Sequence, residues 1–507
     1  MPSPASRASR VPFLLWAALP VAVAGWLRLR NLGGLEPFVD EGANILTALD
    51  PRVRLAFEPL EQGRPLLGWL FAPAGWFPAH ALLVARLMSA LAGLVSMAAL
   101  GWTLHALAGR IASLTGLWLW AALPLAVWHE RLALQDPFVT TALAGSLALM
   151  TAGSRPAAKR SMAWWAGAGG LFGIAFLLKI SALLALPWFG LLHLAVQQRY
   201  GRGTIDRRLV WWAAGALAPV LALGPDLLRL GSKLGRYGAL PGLDDNLALS
   251  FAGRFRTWLG WYADYGGWPL LLLLILALAL AAHQRSQLAW WCAGGWALSL
   301  LTGSFFFNNV YARYTMPDHL PLVLFLSLAV SAVSTGWWRR AALSLSALAV
   351  TGWGFVSAPI AADPAHAAVP PAEIAQYVTG PWSGHGLNDV RRFLTAYADR
   401  NNTRCLVLVH RYLRPGCYGL LLAERGDPRI GVVPFTIYEP AELAAALPGL
   451  HYAAQATGQR AAFFILYEGS LYPTPPWLEQ PGAPAHRVHT VDRGNGEAFS
   501  LYQIGGG

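Results

Sequence analysis

The sequence predicts a polytopic α-helical membrane protein of about 11 transmembrane helices, followed by a C-terminal extracytoplasmic α/β domain. Three observations predict it. Of the 507 residues, 55% are hydrophobic and only 13% charged, against roughly 25% charged in a typical soluble domain. The 24 Trp outnumber the 15 Tyr and the 21 Phe, and Trp concentrates where helix ends meet the membrane surface. Composition then changes near residue 361, where Pro364, Pro370 and Pro371 mark a linker. The mean hydropathy of +0.43 excludes a disordered chain.

A membrane crossing needs roughly 20 mostly apolar residues. The apolar runs are 11–27, 83–107, 111–128, 137–151, 162–178, 181–196, 209–228, 268–283, 288–306, 318–335 and 341–359. The first follows Arg7 and Arg10 and lacks an obvious small-residue cleavage site before Arg28 and Arg30, so it reads as a retained signal anchor. The stretch 65–77 is too short to cross and is expected to lie in the interface or re-enter. With a cytoplasmic N-terminus, Arg110, Arg155, Lys159, Arg160, Arg199, Arg202, Arg207, Arg208, Arg285, Arg339 and Arg340 all fall in cytoplasmic loops, opposed only by Asp206. That is the bias that orients membrane proteins. It leaves 28–64, 129–136, 229–267, 307–317 and the C-terminal part outside.

The expected domains are therefore a membrane domain, 1–360, with an external loop 28–64, and a soluble domain, 361–507. In the latter, Leu387–Arg400, Tyr418–Glu424 and Ala441–Leu447 read as helices. Cys405–His410, Ile430–Phe435 and Ala461–Tyr467 read as strands, with edge-like segments near 486–491 and 497–503. Strands alternating with helices imply a small α/β layer. Cys405 and Cys417 each open a separate element, so a bridge between them is not expected. Gly380, Gly384 and Gly386 read as a turn.

The net charge of +12 would point to nucleic acid in a soluble protein. Here most of it is absorbed by topology, and no nucleic-acid partner is expected. There is no zinc spacing and no Walker or dinucleotide glycine motif.

The ionisable residues that topology does not require gather on the external side. Asp40 and Glu41 follow the first span. An Asp facing a polar cavity can take a proton from a hydroxyl or amine; equally, both acids suit the first turn of a helix over 42–49. Arg64, Arg86, Glu130, Arg131, Asp136, Lys179, Arg313 and Tyr314 all lie near span ends. Each alone fits a snorkelling or interfacial role. Together they assemble carboxylates and several cations on one side, and Arg and Lys are the natural partners of phosphate oxygens.

The order VDEGANILTALD, GRPLLGWL, ARLMSALAGLVSMAAL, ERLALQDPFVTTALAGSLAL, FLLKISALLALP and ARYTMPDHLPLVL resembles the polytopic GT-C glycosyltransferases. Within that class it is similar to the protein O-mannosyltransferase and aminoarabinose–lipid A transferase group, over residues 12–335. The resemblance implies transfer of a monosaccharide from a polyprenyl-phosphate donor to an external acceptor, with inversion. It implies Asp40 as base and Glu41 as its positioning partner. It implies Lys179 and Arg313, with Arg64 or Arg86, around the departing phosphate, and Asp136 at the start of the fourth span. No metal is required by that scheme, although some members of the group hold one. The sequence departs from the group where Asn44 replaces an aromatic residue, where Arg64-Pro65 replaces a longer basic-Pro-Pro step, and at His319. The competing reading is a transporter or flippase of a lipid-linked or anionic substrate. It is weakened by the lack of an internal repeat.

Overall fold

The computed structural model describes residues 10–56, 63–155, 161–200, 207–223, 226, 250–306, 311–333, 336–380, 382–410, 414–435, 461–468, 485–494 and 496–504, with isolated residues between 445 and 483. The chain divides into two compact units. The first comprises 1–32, 57–67 and 86–369; the second comprises 33–56, 68–85 and 370–507. The compositional break near 361 thus falls close to the junction of the units. Two earlier segments nevertheless group with the C-terminal chain, because their partners lie hundreds of residues downstream.

The first unit is helical: α1 Arg10–Leu29, α4 Ala81–Ala108, α5 Arg110–Ala122, α6 Pro124–His129, α7 Asp136–Ser154, α8 Ser161–Leu178, α9 Leu186–Arg199, α10 Arg207–Leu221, α11 Phe251–His283, α12 Gln287–Phe306, α13 His319–Ser331 and α14 Gly336–Ala362. (Helices α2, Val39–Leu49, and α3, Pro51–Ala56, belong to the second unit.) The apolar runs fall mainly on these helices: the run 181–196 begins in a 3-10 segment, Ile180–Ala185, the seventh run is helical as far as Leu221 and the tenth as far as Ser331. Among the described residues, five helical stretches are long and apolar enough to cross a membrane by themselves: Pro78–Ala108, Ser161–Leu178, Ile180–Arg199, Phe251–His283 and Gly336–Ala362.

Local chemistry explains where the helices break. Pro124 ends α5, since proline offers no N–H and pushes Leu123 out of helical geometry. Helix α11 bends at Gly267, whose φ of 53° is open to glycine, just ahead of Pro269. The Trp353 indole donates to the Gly266 carbonyl at 2.9 Å, supplying a partner at the bend. Helices α8 and α10 meet through small residues: a Cβ on Gly169 would lie 1.9 Å from the Trp212 carbonyl oxygen, and one on Gly215 would lie 2.0 Å from that of Ala166. Such close approach is how helices gain contact without a hydrophobic force between them.

The second unit holds a five-stranded sheet in the order β2-β1-β3-β5-β4. Its strands are β1 Cys405–His410, β2 Ile430–Phe435, β3 Ala461–Glu468, β4 Ala485–Gly494 and β5 Glu497–Ile504. β1 runs parallel to β2 and β3, while β5 is antiparallel to both β3 and β4. The segment near 497–503, expected at an edge, is interior. It pairs on both sides and buries Phe499–Tyr502 in succession, which an edge strand with one solvated side would not do. Helices α15 Leu387–Asn401 and α16 Arg414–Gly426 complete the layer, joined by α2 Val39–Leu49 and α3 Pro51–Ala56. The helix expected at Ala441–Leu447 lies largely outside the described residues. Cys405 and Cys417 are buried and not bridged to each other.

The stretch 65–77 forms only a four-residue helix, Leu67–Leu70, and a 3-10 turn, Ala72–Trp76. Trp69 and Trp76 are 73% and 79% exposed.

Candidate functional site

Helix α8 stops at Leu178 because Lys179 is extended, with φ −161° and ψ 119°. The break is stitched by the segment 63–66. The Leu66 N–H donates to the Leu177 carbonyl at 3.1 Å, and the Ile180 N–H donates to the Gly63 carbonyl at 3.0 Å. Non-helical backbone in a membrane protein must find such partners inside the protein. The stitch also fixes Arg64 alongside Lys179.

Around this break the first unit gathers Lys179, Asp136, Arg313, Tyr314 and Arg64. Lys179 Nζ donates to Asp136 Oδ1 at 2.6 Å and lies 3.9 Å from the centre of the Tyr314 ring. The Arg313 guanidinium sits 5.5 Å from the same ring and 5.0 Å from that of Tyr311. Arg313 and Arg64 are both close enough for their charge to act on Asp136 and on Lys179. Lys179, Asp136 and Arg313 are buried, and Lys179 and Asp136 line a cavity of about 20 Å³, room for roughly one water.

That cavity also contains Asp318, which the sequence did not bring forward. Its carboxyl lies beside the Ser299 hydroxyl, with Ser181 and Trp258 on the same wall. In the sequence, Asp318 opens an apolar run and looks like an ordinary helix-start residue. Lys179, Arg313 and Arg64 are thus three cations gathered near Asp136, with Asp318 on the same cavity.

Glu130, Arg131 and Arg86 belong to a different group in the same unit. Glu130 is fully buried, ion-paired with the equally buried Arg28, and accepts from the Trp120 indole at 3.3 Å. Arg28 also donates to the carbonyls of Trp120 and Ala121 at 3.0 and 3.1 Å. A Cβ on Gly93 would meet the Glu130 carboxylate, so α4 can pass there only as glycine. Arg131 donates to the carbonyls of Leu27 and Asn31, and Arg86 to that of Leu32 at 2.7 Å. Burial, with Arg86 and Arg28 nearby, lowers the Arg131 pKa to about 10, so it stays charged at neutral pH. These contacts tie the end of α1 and the turn after it into the bundle.

Asp40 and Glu41 stand on the first turn of α2, in the second unit. Glu41 is fully buried, and its carboxylate accepts from the Phe38 N–H at the start of its own helix. Asp40 is half-buried. Both readings of this pair are therefore compatible with its place in the chain: it starts a helix, and it leaves Asp40 partly open. Among the described residues, no group of three or more His, Cys, Asp or Glu is placed to hold a metal ion.

Residues 65–224 match the profile of the dolichyl-phosphate-mannose-protein mannosyltransferase family. The fold is similar to that of ArnT from Cupriavidus metallidurans bound to undecaprenyl phosphate, with a TM-score of 0.60 at 14% identity, covering 97% of each chain. The apo form of that protein gives the same TM-score and covers 98% of each chain. The apo oligosaccharyltransferase of Archaeoglobus fulgidus is similar at a TM-score of 0.50 and 12% identity, over 90% of this chain and 69% of that one. No curated protein sequence matches the chain significantly. The whole chain thus shares the fold of these proteins, and residues 65–224 carry the family profile.

Proposed function

We propose that this protein transfers a monosaccharide from a polyprenyl-phosphate donor to an extracytoplasmic acceptor, whether protein, lipid or glycan. The observation that carries this reading is the cation cluster at the break after α8. It sets Lys179, Arg313 and Arg64 close together beside a small cavity, and a phosphate is a natural counter-charge for clustered cations. Arg and Lys hold phosphate oxygens through short charge-assisted hydrogen bonds. The profile match to a dolichyl-phosphate-mannose-dependent family supports the same donor chemistry.

In this reading, Asp40 takes a proton from the acceptor hydroxyl or amine, with Glu41 fixing the turn that carries it. The acceptor atom then forms a bond to the anomeric carbon as the bond from that carbon to the phosphate oxygen breaks. The departing electron pair goes to the polyprenyl phosphate, whose charge Lys179, Arg313 and Arg64 stabilise where it develops. Asp136 holds Lys179 in place until the phosphate arrives. The N-terminus is cytoplasmic and the α/β part external, as the distribution of Arg and Lys requires. Arg86, Glu130 and Arg131 shape the bundle beside the site.

The test is transfer of label from a labelled polyprenyl-phosphate sugar by the purified protein. Release of free polyprenyl phosphate with labelled acceptor is expected, and Asp40→Asn should fold normally yet transfer poorly. Near wild-type transfer by Asp40→Asn would remove Asp40 from the chemistry. Movement of the intact donor across the bilayer without bond cleavage would replace the enzyme with a carrier.

A further inference from the structure

The helix that bears Asp40 is gripped at its start, middle and end by the C-terminal chain. Just before α2, Glu36 accepts the backbone N–H groups of Gly386 and Asn388, both at 2.6 Å. These lie at the N-terminus of α15, where the helix dipole favours a carboxylate. Burial raises the Glu36 pKa above the usual carboxylate value, while the two backbone bonds and His385 oppose that shift. The turn 382–386 is shaped for this seat. Gly386 has φ 91°, and a Cβ on Gly384 would lie 2.2 Å from the Pro37 carbonyl oxygen.

Next along the chain, Phe38 packs edge-on against Tyr377 at 4.5 Å, and the Val39 N–H donates to the Trp382 carbonyl at 3.0 Å. In the middle of the helix, a Cβ on Gly42 would lie 2.6 Å from the Tyr418 Cβ. At the far end, Arg425 donates to the Leu49 carbonyl at 3.1 Å, one of the carbonyls a helix leaves without an internal partner. An 11-residue helix is marginal on its own in water. Its place is set by this frame.

We infer that the α/β domain is the positioning frame of Asp40, with Glu36, Tyr418 and Arg425 as its positioning residues. This rests on the reading of Asp40 as the base. Removing the domain would then unseat the reacting carboxylate. The phosphate-holding residues belong to the other unit, so a fault in the frame separates turnover from donor binding.

The experiment uses the full chain and measures kcat together with the Kd for undecaprenyl phosphate. Gly42→Ala forces α2 away from Tyr418. It is expected to lower kcat by about tenfold to a hundredfold, the scale set by misplacing a reacting group by an ångström, with Kd within about twofold of wild type. Adding Tyr418→Gly restores the space and should recover part of kcat, a coupling that a double-mutant cycle reads directly. Arg425→Ala acts at the other end of the helix, and the same split is expected. Wild-type kcat in both Gly42→Ala and Arg425→Ala, with Asp40→Asn inactive, overturns the inference and leaves the base reading standing. Equal losses in kcat and donor affinity also overturn it. An active Asp40→Asn removes the base reading and this inference with it.

Discussion

Two buried ion pairs in the helical unit look alike as pairs and differ in everything around them. In the first, Arg28 and Glu130 are both fully buried. The remaining donors of Arg28 go to backbone carbonyls, and the second oxygen of Glu130 takes the Trp120 indole. In the second, Lys179 has Asp136 as its one hydrogen-bond partner among the described residues, an aromatic ring on another side, and a small cavity in front. Arg313 and Arg64 bring further positive charge to bear on Asp136. Burial alone does not mark a functional charge. What sets the second pair apart is the company of further cations and a space beside it.

The largest effect is expected where saturation is destroyed. Glu130→Ala leaves Arg28 buried and uncompensated, which costs about 3–5 kcal/mol. The yield of folded protein and its thermal midpoint in detergent should collapse. A stable, active Glu130→Ala would end the distinction between the two pairs.

Next comes Lys179→Gln. Loss of a charge-assisted hydrogen bond worth about 1.5–3 kcal/mol should weaken undecaprenyl phosphate binding by roughly tenfold to a hundredfold. Most of the folded protein should survive, because a neutral amide still reaches Asp136. Titration of the lipid phosphate measures it, and an unchanged affinity would make this pair as structural as the first. Arg313→Gln is expected to act in the same direction with a loss of about tenfold, since its charge also rests on two tyrosine rings.

The smallest effect concerns a third pair, in the α/β unit. Asp427 accepts from the Arg429 backbone N–H and guanidinium, and Arg429 also reaches Asp399. The Arg429 bonds hold the Asp427 pKa below its usual value. A carboxyl with a depressed native pKa contributes stability above its unfolded pKa, near 4, and loses it as pH falls through the native value. Unfolding of wild type and Asp427→Asn should therefore differ slightly at neutral pH and converge as the solution is acidified below about pH 4. A difference that persists in acid would assign the effect to packing instead.

Most elements were legible in the sequence because each is announced locally. CLVLVH and IGVVPF are strands at the bounds their apolar runs give. Lys179 was visible because an ammonium interrupts an apolar run, and Asp136 because it precedes one. Arg28 was read only as a flank of the first span, since nothing near it in sequence reveals a carboxylate 102 residues away. Asp318 was missed because an Asp before an apolar helix is ordinary. The membership of α2 in the α/β unit was hidden for the same reason: Glu36 meets Gly386 across 350 residues, and such partners leave no local trace.

The seam between α8 and α10 bears on how the protein meets its lipid. With Gly169, Gly173 and Gly215 letting backbone touch backbone, no acyl chain can wedge between these two helices. A bilayer thicker or thinner than their apolar length is accommodated by tilt. The two should lean together as one ribbon, carrying the lysine just past the end of α8 up or down with them.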